Sequence, residues 1–360
     1  MKKYIGIMVG TVVFNGIKKG KTYYENLSFY EEAGEQYDLI PCYFRFKDIE
    51  PGVDTIMAYV LSEEGTYILT PIPKPPIIHN RTFTGKVSAK KKMRKLKEEG
   101  IVFFNEKNRY KKIRINNILR MNKKLVPHIP ETVKASKENL QTMMDKYDEL
   151  IIKPNSGSLG LGIAKLSKLA DQEWEFSYRR QKEMVKERFS TTWPFSLLKL
   201  IANPRTIIQK RIPLAKSKGG VFDLRVSVQK NDMGEWQMTG VVGKVAKKDW
   251  YLTNVARGGS CYSLPELLQD LPHLNLDQVY EDIKRLSLNV AWQLEKELPR
   301  MADLGLDIGL TNEGVPMFIE CNGRDLRVTF RNANMQEEWK QTHATPIGYA
   351  AFLYEKQHSS

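Results

Sequence analysis

The stretch "DELIIKPNSGSLGLGIAKLS" (148–167) constrains the fold of this chain more than any other. Two apolar runs bracket three glycines, two serines and an asparagine, so the unit reads as a β-hairpin with a glycine-rich tip. A Walker A loop needs Gly-Lys-Ser/Thr entering a helix, and a dinucleotide fingerprint needs Gly-x-Gly-x-x-Gly between a strand and a helix. Here Gly157, Gly160 and Gly162 are spaced G-x-x-G-x-G, no lysine follows, and "IAKLS" reads as strand. Both of those phosphate loops fail on context. Two readings stay open: an ordinary glycine-rich turn, or a tip whose N–H groups fold over phosphates because glycine lacks a Cβ. In the second, Lys153 at the end of the first strand meets the same phosphates.

The rest of the chain sets this hairpin among other α/β units. Residues 4–9 ("YIGIMV") read as a buried strand, 23–37 as a helix with Leu27, Tyr30 and Ala33 apolar, and "DLIPCYFRF" as a second strand. That is the start of an open α/β lobe, in which parallel strands need a crossover helix. The proline-rich stretch 70–83 cannot be helical and is expected to run extended to the edge of that lobe. A helix over "NNILRMNKKL" is expected to stop near Pro127 and Pro130, and 171–204 reads as helical. Strands return at "NPRTIIQKRI", "GGVFDLRVSVQ", "WQMTGVVGKVA" and "YLTNVARGGS". Residues 277–298 form an amphipathic helix with Val279, Ile283, Leu286, Val290 and Leu294 on one stripe. "LGLDIGLTNEGVPMFIECNGR" is a hairpin turning at 311–314, and "ATPIGYAAFLYEK" a terminal helix. With 360 residues the chain exceeds what one core serves, and more than one lobe is expected.

Charge and cysteine content narrow the chemistry. Fifty-six Lys and Arg against 42 Asp and Glu give a net charge of +14, which favours an anionic partner. The most basic stretches are 86–100 and 107–114; the first reads as the solvated face of a helix, and no aromatic residues interleave with it as a nucleic-acid platform requires. No nucleic acid is therefore expected. Cys42, Cys261 and Cys321 stand alone and five histidines are scattered, which points to a reducing compartment and away from zinc. No apolar stretch reaches the length of a membrane span and no export signal is evident, so a soluble, cytoplasmic protein is expected.

A second constellation lies in the 303–323 hairpin. Glu320 and Asn322 sit two apart on one strand and so share a face, and the hairpin can set Asp307 beside them. Two carboxylates and an amide oxygen suit a hard cation such as Mg²⁺. The plainer alternative is a set of polar positions on an edge hairpin.

In order along the chain, "KPNSGSLGLGI", "IIQKRI", "FDLRV", "TNVARGGS" and "GLDIG…FIECN" resemble the ATP-grasp superfamily, and within it the YheC/YheD-like, spore-coat-associated branch. The likeness covers roughly residues 100–350. It implies an α/β chain with an N-terminal open pre-ATP lobe (1–115) and two α+β lobes that enclose ATP (116–212 and 213–355). It also implies roles. Lys112, or Lys111 beside it, and Lys153 contact phosphates under a flap that includes Ser156, Gly157, Ser158, Gly160 and Gly162. Gln209, Lys210 and Ile212 form the hinge that meets adenine, and Asn254 completes the nucleotide site. Asp307, Glu320 and Asn322 hold Mg²⁺. Arg225, Lys244 and Arg257 act on the transferred phosphate, although Arg225 and Lys244 could equally be strand residues paired with nearby acids. Lys244 stands where the family often has arginine. Asp223, Gly258 and Gly259 adjoin the second substrate.

The implied reaction is ATP-driven joining of a carboxylate to an amine through an acyl phosphate, with a peptide or protein among the candidate substrates. The alternatives are a kinase of the same fold and a non-catalytic spore-coat component. After Asn322 the sequence departs from the superfamily pattern with "GRDLRVTFR". Arg324, Arg327 and Arg331 there are read as a carboxylate-binding set, since arginine binds such groups bidentately; the alternative is a charged loop packed on Asp325.

Overall fold

Short buried strands separated by helices build the first of three sheets in the computed structural model, which describes residues 2–83, 87–157, 161–181, 183–247, 259–298 and 300–358. The chain begins with β1 (Tyr4–Met8), α1 (Thr11–Ile17), α2 (Leu27–Gln36), β2 (Ile40–Phe44), β3 (Thr55–Leu61), β4 (Tyr67–Pro73), β5 (Ile77–Asn80), α3 (Val87–Glu98) and β6 (Val102–Phe104). The sheet order is β4-β3-β2-β1-β5-β6. The pairs β1/β2, β1/β5 and β5/β6 are parallel, as expected where helices supply the crossovers. The proline-rich stretch splits in two. Its first part, β4, lies at the edge, where a strand can lack N–H groups, whereas β5 lies inside between β1 and β6. Proline spares β5 because Pro75 and Pro76 precede it.

The second sheet is wholly antiparallel. Helix α4 (Lys112–Arg120) leads into β7 (Thr132–Lys134), α5 (Lys137–Lys146), β8 (Glu149–Pro154), β9 (Ala164–Ala170), β10 (Glu173–Arg180), β11 (Glu183–Phe189), α6 (Phe195–Ile201) and β12 (Thr206–Lys210). The order is β11-β10-β9-β8-β12-β7, and β8 and β9 form the expected hairpin. The helical expectation for 171–204 is corrected: β10 and β11 form a second hairpin, and only Phe195–Ile201 is helical. Trp174 and Phe176 are buried at alternate positions, a strand period that the surrounding charges obscure. Helix α4 also ends earlier than expected, at Arg120. Met121 and Asn122 bond back three residues, and the Asn122 side chain accepts from the Lys124 N–H, so a tight turn wins well before Pro127.

The third lobe contains β13 (Lys216–Ser217), β14 (Gly220–Lys230), β15 (Trp236–Val245), β16 (Ser260–Tyr262), α7 (Leu264–Leu268), α8 (Leu276–Glu297), β17 (Asp303–Leu310), β18 (Pro316–Asn322), α9 (Val328–Asn332) and α10 (Gln336–His358). Its sheet runs β16-β15-β14-β17-β18, with β13 paired to β14. The α8 stripe Val279, Ile283, Leu286, Val290 and Leu294 is buried against this sheet, each side chain worth about 1.5–3 kcal/mol of transfer free energy. Helix α4 joins the same core through Ile115, Ile118 and Leu119.

Helix α10 is longer than the sequence suggested, and it packs on the first lobe: Ile347, Tyr349, Ala350 and Tyr354 share a core with Ile5, Ile7, Val13 and Tyr30. Pro346 lies inside it. A proline has no N–H for the carbonyl four residues back, and here the carbonyl of Thr342 accepts from Gln229 Nε2 at 2.8 Å instead. The helix is thus tied to β14. Among the described residues no helix is long and apolar enough to cross a membrane.

Candidate functional site

The hairpin β17/β18 builds one wall of a cleft. Its turn closes with the Gly314 N–H bonded to the Thr311 carbonyl at 3.0 Å, and Gly314 takes the left-handed φ of +78° that such a turn needs. Asp307 is thereby paired with Glu320 and Gly305 with Asn322, before a bulge at Asp307/Ile308 shifts the register. Directly opposed residues share a face, so Asp307, Glu320 and Asn322 come together, with Asn322 Nδ2 3.4 Å from Asp307 Oδ2. The neighbouring strand sets Arg225 opposite Asp307, and the next sets Lys244 opposite Asp223. Lys244 Nζ lies 2.7 Å from Asp307 and 2.9 Å from Asp223, while Arg225 Nε lies 3.1 Å from Asp307 and Nη1 3.2 Å from Asp325. Burial alone would raise the Asp307 carboxyl, but Arg225 and Lys244 outweigh it and hold the group below its ordinary range. A Cβ at Gly305 would stand 2.5 Å from both Arg225 and Asp325, so glycine makes the space that this pair fills.

The second sheet and α4 supply the opposing wall. Lys153 on β8 and Gln209 on β12 meet through a 2.6 Å hydrogen bond from Nζ to Oε1, and Gln209 Nε2 donates to Thr132 at 2.7 Å. Burial, with the repulsion of Lys112 added, lowers the Lys153 pKa to about 8. Lys112 starts α4, and its ammonium reaches Glu320 at 2.6 Å. Asn155 beside the glycine loop caps that helix: its carbonyl accepts from the Lys112 N–H at 2.8 Å and its side chain from Ile113 at 3.0 Å. The flap and the lysine are therefore anchored to one another. Lys111 points to solvent, and of the two lysines only Lys112 lines the cleft.

Between these walls lies a partly open cleft. Lys112, Gly157, Gln209, Glu320, Asn322 and Arg324 line it, together with Asn108, Tyr110 and Thr132, which the sequence did not single out. The alternation of exposed and buried residues around Asn108 and Tyr110 is a strand-like signal masked by the basic residues Lys107, Arg109 and Lys111 that alternate with them. Ser156 and Gly157 are exposed at the loop's first half and Gly162 at its second, where φ is +70°. Ser158, Gly160, Asn254, Arg257 and Gly258 lie outside the described residues; Gly259 is half-buried just before β16.

Several expected residues are placed elsewhere. The Lys210 ammonium sits 4.9 Å over the Tyr147 ring, on the face of β12 opposite Gln209, and its N–H bonds to the Glu131 carbonyl, which leaves only its carbonyl to face a ligand. Ile212 is buried, its side chain beside Gly309. The three arginines after Asn322 do not form one set. Arg324 lines the cleft, 4.2 Å from the Phe83 ring. Arg327 is fully buried, bonded to Asp303 at 2.6 Å and to the Tyr30 hydroxyl at 2.7 Å, and has no route to a substrate. Arg331 is exposed, 5.6 Å over Trp339. Cys321 lines the cleft, but burial pushes its thiol up to about 12, and the Cys261 thiol is raised by burial as well, so neither supplies a thiolate at neutral pH.

Among the described residues no group of three or more His, Cys, Asp and Glu side chains has a metal-binding arrangement. A cation here would need Asn322 as its third donor. Asp307, Glu320 and Asn322 are all oxygen donors on one face, which fits the preference of Mg²⁺, and the positive charge now placed on Glu320 by Lys112 shows that the pair attracts cations.

A glycine-rich hairpin and a carboxylate hairpin facing each other across a cleft define a nucleotide-grasping architecture. The family model for YheC/D-like ATP-grasp proteins matches residues 100–353, and the chain belongs to that family. It is 24% identical over 317 residues to the endospore coat-associated protein YheC of Bacillus subtilis (strain 168), covering 86% of this chain and 87% of the relative. Among solved structures it is similar to the ATP-grasp ligase PsnB complexed with minimal precursor, with a TM-score of 0.52, 14% identity and coverage of 96% and 99%. It is also similar to the VanG D-Ala:D-Ser ligase from Enterococcus faecalis, with a TM-score of 0.51, 12% identity and coverage of 97% and 100%. The chain thus has the fold of ATP-grasp ligases.

Proposed function

We propose that this chain is an ATP- and Mg²⁺-dependent ligase that joins a carboxylate to an amine through an acyl phosphate, releasing ADP and phosphate. The observation that carries the reading is a cleft lined by Lys112 and Gln209 on one side and by Glu320 and Asn322 on the other, with Lys153 bonded to Gln209 and Asp307 paired with Glu320. Phosphoryl transfer asks a protein for position and charge neutralisation rather than for a nucleophile. That demand matches a site whose cysteines are protonated.

In this reading Lys112 and Lys153 hold the phosphates while the 155–162 loop covers them and keeps water from the reactive acyl group. The backbone between Gln209 and Ile212 meets adenine. Asp307, Glu320 and Asn322 would hold Mg²⁺, which would supply positive charge to neutralise that of the phosphates. Arg225 and Lys244, fixed by Asp307, Asp223 and Asp325, stand at the transferred phosphate, and Arg257 acts with them. Asp223, Gly258, Gly259 and Arg324 adjoin the carboxylate and amine. The names of the similar proteins support the reading: two are ligases, one of them complexed with a precursor. By the relative's name, a spore-coat setting is the biological context we propose.

An ADP-release screen over amino acids and acidic peptides tests this, with Glu320→Gln as the blank. Hydroxylamine added to a productive mixture should yield a hydroxamate; ADP release with no hydroxamate would instead assign a kinase. If ATP with Mg²⁺ fails to raise the melting temperature, the nucleotide reading is lost, because a ligand that binds only the folded state must stabilise it.

A further inference from the structure

The basic segment after the first sheet ends in a row of cations beside the cleft. Burial alternates along it: Lys107, Arg109 and Lys111 are exposed, while Asn108 and Tyr110 are buried. Asn108 Nδ2 donates to the carbonyl of Thr82 at 2.7 Å and of Asn80 at 3.3 Å, and Tyr110 enters the third lobe's core. The segment is thus held by its even-numbered residues and leaves its odd-numbered ones exposed, with the Lys107 ammonium 5.0 Å from the centre of the Tyr110 ring; such alternation is that of extended backbone, which would space the three residues roughly 6.5–7 Å apart. Arg114, exposed on the first turn of α4, continues the row.

The row lies directly against the site. A Cβ at Gly323, the residue after Asn322, would stand 2.7 Å from the Asn108 Cα, so glycine there permits the close approach. Arg109 and Arg324 both line the cleft and flank one ring, their guanidinium carbons 4.4 and 4.2 Å from the centre of Phe83. Arg324 Nε is buried with no hydrogen-bond partner among the described residues.

No ion pair engages Lys107, Arg109, Lys111, Arg114 or Arg324 among the described residues, since the adjoining carboxylate Glu106 is held by Lys97 at 2.8 Å and Glu320 by Lys112 at 2.6 Å. Burial, then repulsion from Arg114, Lys90 and Lys111, lowers the Lys107 pKa, and no carboxylate offsets them. Like charges gathered without counter-charges raise the free energy of the unliganded protein, and a polyanion would relieve it.

We propose that this row binds an extended acidic peptide and directs one of its carboxylates past Arg324 into the cleft. The inference rests on the ligase reading and gives its carboxylate substrate a class. An extended peptide repeats its side chains on one side at about the pitch of the row. Single-stranded nucleic acid needs open aromatic faces between the cations, whereas Tyr110 is buried and Phe83 is flanked by two guanidinium groups.

The test is fluorescence anisotropy on the full chain with a labelled peptide of about ten alternating Glu and Ala residues, long enough to span the row. Binding should weaken as salt rises. It should fall at least about tenfold when Lys107, Arg109 and Lys111 are all changed to Glu, a loss expected when several like-charged contacts reverse sign. Reversing Lys123, Lys124 and Lys137, exposed lysines that do not line the cleft, should change it less than about twofold. Equal losses in both triple variants would reduce the effect to net charge, and failure of the peptide to bind would remove the idea. An oligothymidylate of equal length that binds as tightly and is lost with the same variant would assign the row to nucleic acid instead. The melting-temperature shift with ATP and Mg²⁺ is measured in parallel on the unmodified chain. Its absence in the unmodified chain would sink the ligase reading while leaving peptide binding to be judged separately.

Discussion

Asp303 and Asp307 lie four residues apart on the same face of β17, and they live in different electrostatic worlds. Asp303 is fully buried in a closed cluster where two carboxylates, its own and that of Glu25, meet two guanidinium groups, Arg81 and Arg327. His79 and His343 beside them are held neutral at pH 7 by burial, with pKa values of about 4 and 3. Asp307 lies beside the cleft-lining Glu320, where four carboxylates, Asp223, Asp307, Glu320 and Asp325, meet four cations, Lys112, Lys153, Arg225 and Lys244. The first cluster is balanced and has no room for a guest, so it joins lobes: Glu25 and Arg81 come from the first, Asp303 from the third. The second is matched in charge as well, but it borders an open cleft, where a ligand can reach its charged groups. Residue type, strand position and charge matching separate nothing here; access to space does.

Arg327→Ala should break the closed cluster most severely. It removes the nearer of two guanidinium partners from the buried Asp303 carboxylate and empties a large fully buried side-chain volume, and should cost about 3–5 kcal/mol of unfolding free energy in denaturant titration; a loss below about 1 kcal/mol would mean that the cluster holds little. Burial alone would raise the Asp303 carboxyl, but Arg327, His79 and Arg81 drive it well below its ordinary range. Its contribution is therefore present above roughly pH 4 and is lost as the pH falls towards the folded value, so the variant should also show a weaker loss of stability on acidification.

The open cluster should answer in the opposite way. Glu320→Gln should lower ATP turnover at least about 100-fold, the scale of losing a metal-site carboxylate, while changing unfolding free energy by less than about 1 kcal/mol. A comparable collapse of stability would erase the contrast. Lys153 offers a smaller, graded effect. With its pKa lowered to about 8, it is charged at pH 7 and largely neutral at pH 9, so ATP affinity measured by calorimetry should fall roughly tenfold over that interval. Lys153→Arg, charged throughout, should flatten the profile, and an unchanged slope would remove Lys153 from the phosphate site. Smallest of all, Arg331→Ala should move stability by less than about 0.5 kcal/mol and KM by less than about twofold, because its side chain belongs to neither cluster.

What the sequence disclosed was local. The α8 stripe, the β8/β9 hairpin and the meeting of Asp307 with Glu320 and Asn322 all follow from a helical or strand period over a few residues. Legibility failed where partners lie far apart in the chain. Arg327 stood near the metal-site strand in "GRDLRVTFR" and invited a substrate role, yet its partners are Asp303 and Tyr30, the latter 297 residues away. The helical reading of 171–204 failed for a different reason, since exposed charges between Trp174, Phe176 and Phe189 hid a period of two. The ATP-grasp resemblance was visible in the order of the motifs, while the cation row at 107–111 needed the burial of Asn108 and Tyr110 to be seen.

Helix α10 carries a consequence for how the chain comes together during synthesis. Its Tyr354 hydroxyl donates to the Tyr4 carbonyl at 2.5 Å across 350 residues, and Ile347, Tyr349 and Ala350 complete the apolar core that begins with Ile5 and Ile7. The first lobe emerges from the ribosome early but lacks one face of its core until α10 has been made. Contacts at that separation close late and slowly, so the nascent first lobe waits with apolar surface uncovered, a client for chaperones through most of translation.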